Sequence, residues 1–339
     1  MDSLIYNLFI FNNLGARILV QSSGNHYIRR ITSLIFLTMT SKRKELKLIK
    51  IYMYICDLYE QELKYYCHRQ SNNNNPEFTD QEIMTIYLFA GHCQKYFQIK
   101  DIHSFAKEYL SSWFPKLPSY QAFNNRLNML CDAFKILSQR LISSSIPEDC
   151  DFDISLVDSF PIITCSGRNR VGKVAGEITS KGYCSTKNQY YYGLKLHALA
   201  FRRPKRIPFP ESLVFSGAQE NDLTAFKQIW GDNISNRTIF GDKIYSDFEY
   251  FNDKQIQNIE MLTPVKAIKG QSDEQKHREK AYNDLFSTAV SKVRQPIESF
   301  FNWLEEHTTI QRAQKVRSTS GLLVHTMGKI AIAFIYLIF

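Results

Sequence analysis

Residues 154–158 read ISLVD and residues 238–242 read TIFGD. Each is a short apolar run, rich in β-branched residues, that closes on an aspartate: Asp158 in the first, Asp242 in the second. Runs of this length between turn signals suit buried strands. An acid at the end of such a strand is costly unless something pairs with it or uses it. The carboxyl ends of strands are also where open α/β sheets place their ligands. Reading outward, residues 190–201 alternate as a second strand, residues 213–216 form a third, and residues 259–264 suit a fifth. Asp222 is placed to cap a helix over 223–230. A charged helix is expected over 273–284, and Pro296 stands near the start of another that carries 297–307. Strands interleaved with helices predict an α/β domain over 151–339.

Residues 41–145 read differently, as helices throughout. Thr79 with Glu82 three residues later makes a capping box, and Ile83, Ile86, Tyr87 and Ala90 form the stripe of the helix it opens. A helix is expected over 101–109. Ser119 caps another that bears Phe123, Leu127 and Leu130. Within it, residues 120–126 are the candidate recognition segment of a helix-turn-helix, with Gln121, Asn124, Asn125 and Arg126 able to reach base edges. An ordinary helical bundle with a polar surface accounts for them equally. Residues 1–38 are rich in Leu, Ile and Phe but broken by Asn7, Asn12, Asn13 and Arg17. They are expected to be an extension outside the fold, with Met39 as the working start; a leading helix is the alternative. The chain thus divides into an extension (1–38), a helical DNA-binding domain (39–150) and a catalytic domain (151–339).

At 44% hydrophobic and 14% aromatic residues the chain can bury a large core, which excludes wholesale disorder. The net charge of +9 favours a polyanionic partner. Seven cysteines, an odd number without a CxxC pair, read as thiols in a reducing cytosol, and no Cys/His group has zinc spacing. The apolar run 330–339 is too short to span a bilayer and suits a closing core helix, so no membrane partner is expected.

Glu298 lies early in its helix beside Ile297, Phe300 and Phe301, and is expected to face partly inward. Asp158, Asp242 and Glu298 brought together would repel and stay ionised only beside a cation. Oxygen-only ligation selects Mg²⁺ or Mn²⁺. Two such ions about 4 Å apart suit in-line phosphoryl transfer. A single aspartate after a strand is more often a cap, and Asp242 serves equally as a cap for 243–245. Asp247, Glu305 and Glu306 are nearby competitors. Lys181, Lys187, Lys195 and His197 cluster between the first two acids, with Tyr190, Tyr191 and Tyr192 among them. Lys195 and His197 share one strand face. The cluster suits phosphate contact and base stacking; a solvated basic edge that blocks aggregation is the alternative.

The wording around the acids resembles bacterial insertion-sequence transposases of the DDE class. LVDSFPI (156–162) is similar to their first catalytic strand, KGYCSTKNQYYYGLKLH (181–197) to their GxKxH-type second strand, FGDKIY (240–245) to their GDKGY element, and RQPIESFFNWL (294–304) to their Arg-x-x-x-Glu helix. The order is the family's; 84 residues separate Asp158 from Asp242 and 56 separate Asp242 from Glu298. The nearest likeness is to the insertion sequence 982 family. The resemblance implies an RNase H-like mixed sheet flanked by helices, preceded by the helical domain. It implies two Mg²⁺ (or Mn²⁺) ions on Asp158, Asp242 and Glu298, with Arg294 binding phosphate or orienting Glu298. It implies double-stranded DNA at transposon ends and target DNA as partners, a homo-oligomer on that DNA, and a cytoplasmic, nucleoid-associated place in a bacterium. Ile244 stands where many relatives have Gly; Ser291 and Glu305 stand where the related signature has Tyr and Lys. An RNase H-fold nuclease without strand transfer and a catalytically decayed DNA-binding protein are the alternative readings.

Overall fold

The computed structural model describes residues 26–69, 76–167, 172–185, 188–266 and 272–339. Residues from 47 onward form one compact unit, and the described residues up to 46 belong to another. Of the expected extension, residues 1–25 lie outside the described residues. Helix α1 (His26–Gln61) passes Met39 without a break, so the change of sequence character there is no boundary of secondary structure. Helices α2 (Asp80–Gln94), α3 (Ile99–Tyr109), α4 (Tyr120–Met129) and α5 (Cys131–Ser144) follow. The capping box is present at α2: the Glu82 N–H donates to Thr79 Oγ1 at 3.2 Å, and the Thr79 N–H donates to the Glu82 carboxylate at 2.6 Å. Every residue from Ile83 to His92 is buried, so α2 runs through the bundle rather than over it.

Among the described residues six strands form one mixed sheet: β1 (Asp151–Ser166), β2 (Ser180–Cys184), β3 (Gln189–Arg202), β4 (Phe209–Gly217), β5 (Arg237–Phe240) and β6 (Ile259–Leu262). The central strand, β1, is antiparallel to β3 and parallel to β5, which is parallel to β6. The far edge of β3 is shared, β2 pairing with its first residues and β4 with the rest. Helices α6 (Asp222–Ile229), α7 (Phe248–Asp253), α8 (Asp273–Arg294), α9 (Pro296–Thr308), α10 (Thr319–Leu323) and α11 (Lys329–Ile335) complete the chain.

The sequence places the end of the first strand at Val157, but β1 continues to Ser166. The reason is its two unequal neighbours. β5 stops opposite Leu156, whereas β3 keeps pairing as far as Ser166. Asp158 therefore lies beyond the end of the sheet on one edge and within it on the other. A bulge follows between Ile163 and Cys165. Opposite it, Gly193 has φ +156°, and a Cβ there would meet the Ile162 carbonyl oxygen at 1.9 Å, so only glycine fits.

Successive strand residues face opposite ways. Leu156 enters a large core with α2, α5, α9 and α11, while Val157 enters a smaller one with Phe226, Trp230, Tyr245 and Phe251. Both faces of β1 are covered here, which is why ISLV shows no polar alternation. The apolar C-terminal run closes the large core: residues 330–335 are all buried, and α11 packs on α2, α5 and α9. Among the described residues no helix is long and apolar enough to cross a membrane. The architecture is the expected one, an RNase H-like mixed sheet flanked by helices and preceded by a helical region.

Candidate active site

Parallel register brings the two aspartates together. Leu156 pairs with Phe240, so Asp158 and Asp242 each stand two residues past the last paired position on adjacent strands, which lie about 4.8 Å apart. Asp242 keeps extended backbone (φ −76°, ψ 168°) and caps the short turn Lys243–Tyr245, accepting the Lys243 N–H at 2.6 Å. The cap and the strand-end acid are thus one residue, and its side of the turn is exposed. Gly241 allows this turn: a Cβ there would press on the Tyr245 ring at 2.9 Å.

Asp158 is the less exposed member, half-buried with its side chain 23% exposed. It accepts the Ser159 N–H at 2.8 Å and Arg294 Nη1 at 2.8 Å. Burial pushes its carboxyl up to about 6; the charges of Asp222 and Asp242 add to this, and the Ser159 N–H and Arg294 oppose it. Arg294 ends α8 and reaches Glu298 in the first turn of α9 at 2.9 Å. The i,i+4 pair forms because Gln295 keeps helical dihedrals (φ −47°, ψ −36°) across the junction, where Pro296 takes the first position of α9. One guanidinium therefore bridges the first and third acids of the motif. Glu298 is 54% exposed, not turned inward as expected; Ile297, Phe300 and Phe301 occupy the buried face instead. Glu305, its competitor, accepts the Gln311 N–H at 2.8 Å, and Asp247 caps α7 and pairs with Lys227.

Among the described residues no three His, Cys, Asp or Glu side chains stand close enough to hold a metal ion between them. The donor chemistry nonetheless suits a hard divalent cation. The candidate donors are all carboxylate oxygens, and Asp158 is half-buried beside two more negative charges with one guanidinium against them. Arg294 supplies here the positive charge that such a cation would bring.

Two residues near the pair escaped the sequence reading. Asp222, expected as a helix cap, is the first residue of α6; Asn221 does the capping, accepting the Leu223 and Thr224 N–H groups. Two capping types in succession were the signal. Freed from that role, Asp222 accepts Lys195 Nζ at 2.9 Å with its side chain 13% exposed. The other is Tyr245, buried under the Asp242 turn.

The expected DNA contacts divide. Lys181 is exposed on β2, its ammonium 5.2 Å from the Tyr190 ring, and Asn125 is exposed on α4. Lys187 lies outside the described residues. Arg294 is taken up by Asp158 and Glu298, and the remaining three, Lys195, His197 and Arg126, are turned inward. Lys195 is held inside by the Glu220 carbonyl at 2.7 Å and by Asp222. His197 is 1% exposed and bonded to Ser216 Oγ at 2.7 Å; burial drives its pKa down to about 4, which leaves it neutral. Both share one strand face, as read, but that face turns to α6. Arg126 grips the fully buried Asp80 with two bonds of 2.7 Å and the Cys67 carbonyl at 2.6 Å, and Arg69 holds the same carboxylate. Burial pushes the Asp80 carboxyl up, and the two guanidiniums outweigh that and hold it below its ordinary value. Arg126 thus fastens the bundle rather than facing a groove. Residues 110–119 separate α3 from α4, far more than the turn of about three or four residues in a tight helix-turn-helix.

A mixed RNase H-like sheet with an aspartate pair at the ends of its central parallel strands defines the class of phosphoryl-transfer nucleases and transposases. The chain belongs to one family within it: the model of the transposase DDE domain matches residues 149–334, more than half of the 339. It is a DDE transposase. Among curated proteins none matches the chain.

Proposed function

We propose that this transposase cleaves DNA at the inverted-repeat ends of an insertion sequence and joins the freed 3′-hydroxyl to target DNA. Asp158, Asp242 and Glu298 are the catalytic acids of this reading and hold two Mg²⁺ or Mn²⁺ ions. The observation that carries it is the register match of Asp158 and Asp242 at adjacent parallel strand ends, with Arg294 and Glu298 delivered from the α8–α9 junction. When bound, such ions neutralise phosphate charge and activate the attacking oxygen. The chain's own part is to fix the acids and the DNA. Asp158 gives a half-buried carboxylate with low freedom, and Asp242 is held by its turn. Arg294, which donates one Nη to Asp158 and the other to Glu298, carries the fork geometry that a phosphate takes. Lys181 and Asn125 contact DNA from exposed positions, and the helical region 39–150 forms the DNA-binding domain. The protein works as a homo-oligomer on DNA, in the bacterial nucleoid. Its placement in the insertion sequence 982 family rests on the FGDKIY and RQPIE wording.

The test incubates the full chain with Mg²⁺ and DNA carrying the repeats that flank its own gene. Strand-transfer products are expected, and an Asp242→Asn variant should bind that DNA without making them. Cleavage without joining would replace this reading with a nuclease on the same fold. Binding with neither reaction would overturn both.

A further inference from the structure

The far end of the sheet carries a ladder of side chains that the acids do not use. β1 pairs with β3 only as far as Tyr191, whereas β2 goes on to pair Tyr183 with Tyr190 and Cys184 with Gln189. Paired residues share a face, so Lys181, Tyr183, Tyr190 and Tyr192 all lie on one face of this hairpin. Alternate residues of β3 carry that face from Tyr190 through Leu194 to Ala198, the partner of Asp158. The ladder is therefore on the face of the first acid, about 26 Å along the strand at about 3.3 Å per residue. Leu194 and Leu196 between them are buried in the large core. Beyond that cover the rings emerge: Tyr183 is 49% and Tyr190 37% exposed. The two rings lie 5.0 Å apart, tilted by 56°. The Tyr183 hydroxyl donates to Asn188 Oδ1 at 2.5 Å, which fixes its ring before any ligand arrives. The Lys181 ammonium stands 5.2 Å from the Tyr190 ring.

We propose that Tyr183 and Tyr190 form a stacking platform for unpaired bases of a DNA strand, with Lys181 beside them to meet its phosphates. This rests on the reading of DNA as the partner given above. The Tyr183 hydroxyl is taken by Asn188, so what this side chain offers is the face of its ring. A ring face fits a base face, which every base has and which a duplex keeps inside its stack. Unpaired bases are thus the matching ligand, and the platform does not read sequence. Because the ring is already fixed, little side-chain freedom is lost on binding. A protein partner fits less well. Ser185, Asn188 and Gln189 around the rings are polar, and two rings fall far short of the roughly 800 Å² per partner that a stable interface covers.

The test measures binding of the full chain, in chelator so that no cleavage occurs, to a labelled single strand of thymidines and to a blunt duplex, by fluorescence anisotropy. Tyr183→Leu should bind the single strand roughly tenfold more weakly, the size of one lost base–aromatic stack, and the duplex as wild type does. Its salt-dependence slope should not change, because no cation has been removed. Tyr183→Phe keeps the ring and should match wild type on both DNAs. Wild-type binding of the single strand by Tyr183→Leu would overturn the platform. An equal loss on both DNAs would also overturn it, as the mark of a hairpin that is merely distorted. Tyr183→Phe as weak as Tyr183→Leu would replace stacking by a contact of the hydroxyl. A changed oligomeric state of DNA-free Tyr183→Leu in sedimentation would give the face to a second copy instead. If wild type binds neither DNA, the reading of DNA as the partner falls, rather than the platform alone.

Discussion

Replacing Asp158 by asparagine should stabilise the DNA-free, cation-free protein while removing its chemistry. The carboxyl is pushed from its ordinary 3.8 to about 6. A group whose folded pKa lies above its unfolded one binds more protons in the native state between those values. Stability therefore falls as pH rises from about 4 to about 6, and the loss is complete at neutral pH. At about 1.4 kcal/mol per pH unit the gap corresponds to about 3 kcal/mol. The side chain is 23% exposed, so solvent screening reduces the effect to about 1–3 kcal/mol. Asparagine has the shape of the protonated acid and avoids the charge. The Arg294 ion pair is already contained in the value of about 6, so its loss does not reverse the sign. Urea unfolding in chelator from pH 4 to pH 8 measures this. The variant and wild type should coincide near pH 4 and separate above it, the variant being the more stable. Added Mg²⁺ should raise wild type alone, because only it retains the ligand. If the variant is the less stable at pH 7.5, or the difference does not depend on pH, then Asp158 is a structural ion-pair partner and the reasoning fails.

Arg126→Ala should destabilise the fold by about 2–4 kcal/mol in urea unfolding, towards the lower end because Arg69 still holds Asp80; unchanged stability with selectively weakened DNA binding would restore Arg126 as a base reader. Gly193→Ala should cost about 3 kcal/mol or more, since its Cβ would overlap the Ile162 carbonyl; a wild-type thermal midpoint would show that the bulge can relax. Lys181→Ala should weaken DNA binding evenly across sequences and lower the salt-dependence slope by about 1, measured by fluorescence anisotropy at several salt concentrations. An unaltered slope would remove Lys181 from the phosphate contacts.

The sequence by itself determined most of the elements and the strand-end places of the two aspartates. Apolar runs closing on Asp158 and Asp242, the Thr79–Glu82 box and Pro296 at a helix start are signals carried within a few residues, because strand period and helix capping are local properties of the chain. What each side chain meets was decided only by the tertiary structure. His197 faces α6 rather than DNA because the β1–β3 register sets it opposite Ser159, and no local pattern specifies that register. Arg126 is drawn inward by Asp80, 46 positions away, and Arg294 finds Asp158 across 136. Glu298 stays half out in solvent because three apolar neighbours take the buried face of α9. Asp222 finds Lys195 only where α6 packs on β3. A buried charge must take its partner from whatever folding places beside it, and that partner lies far along the chain.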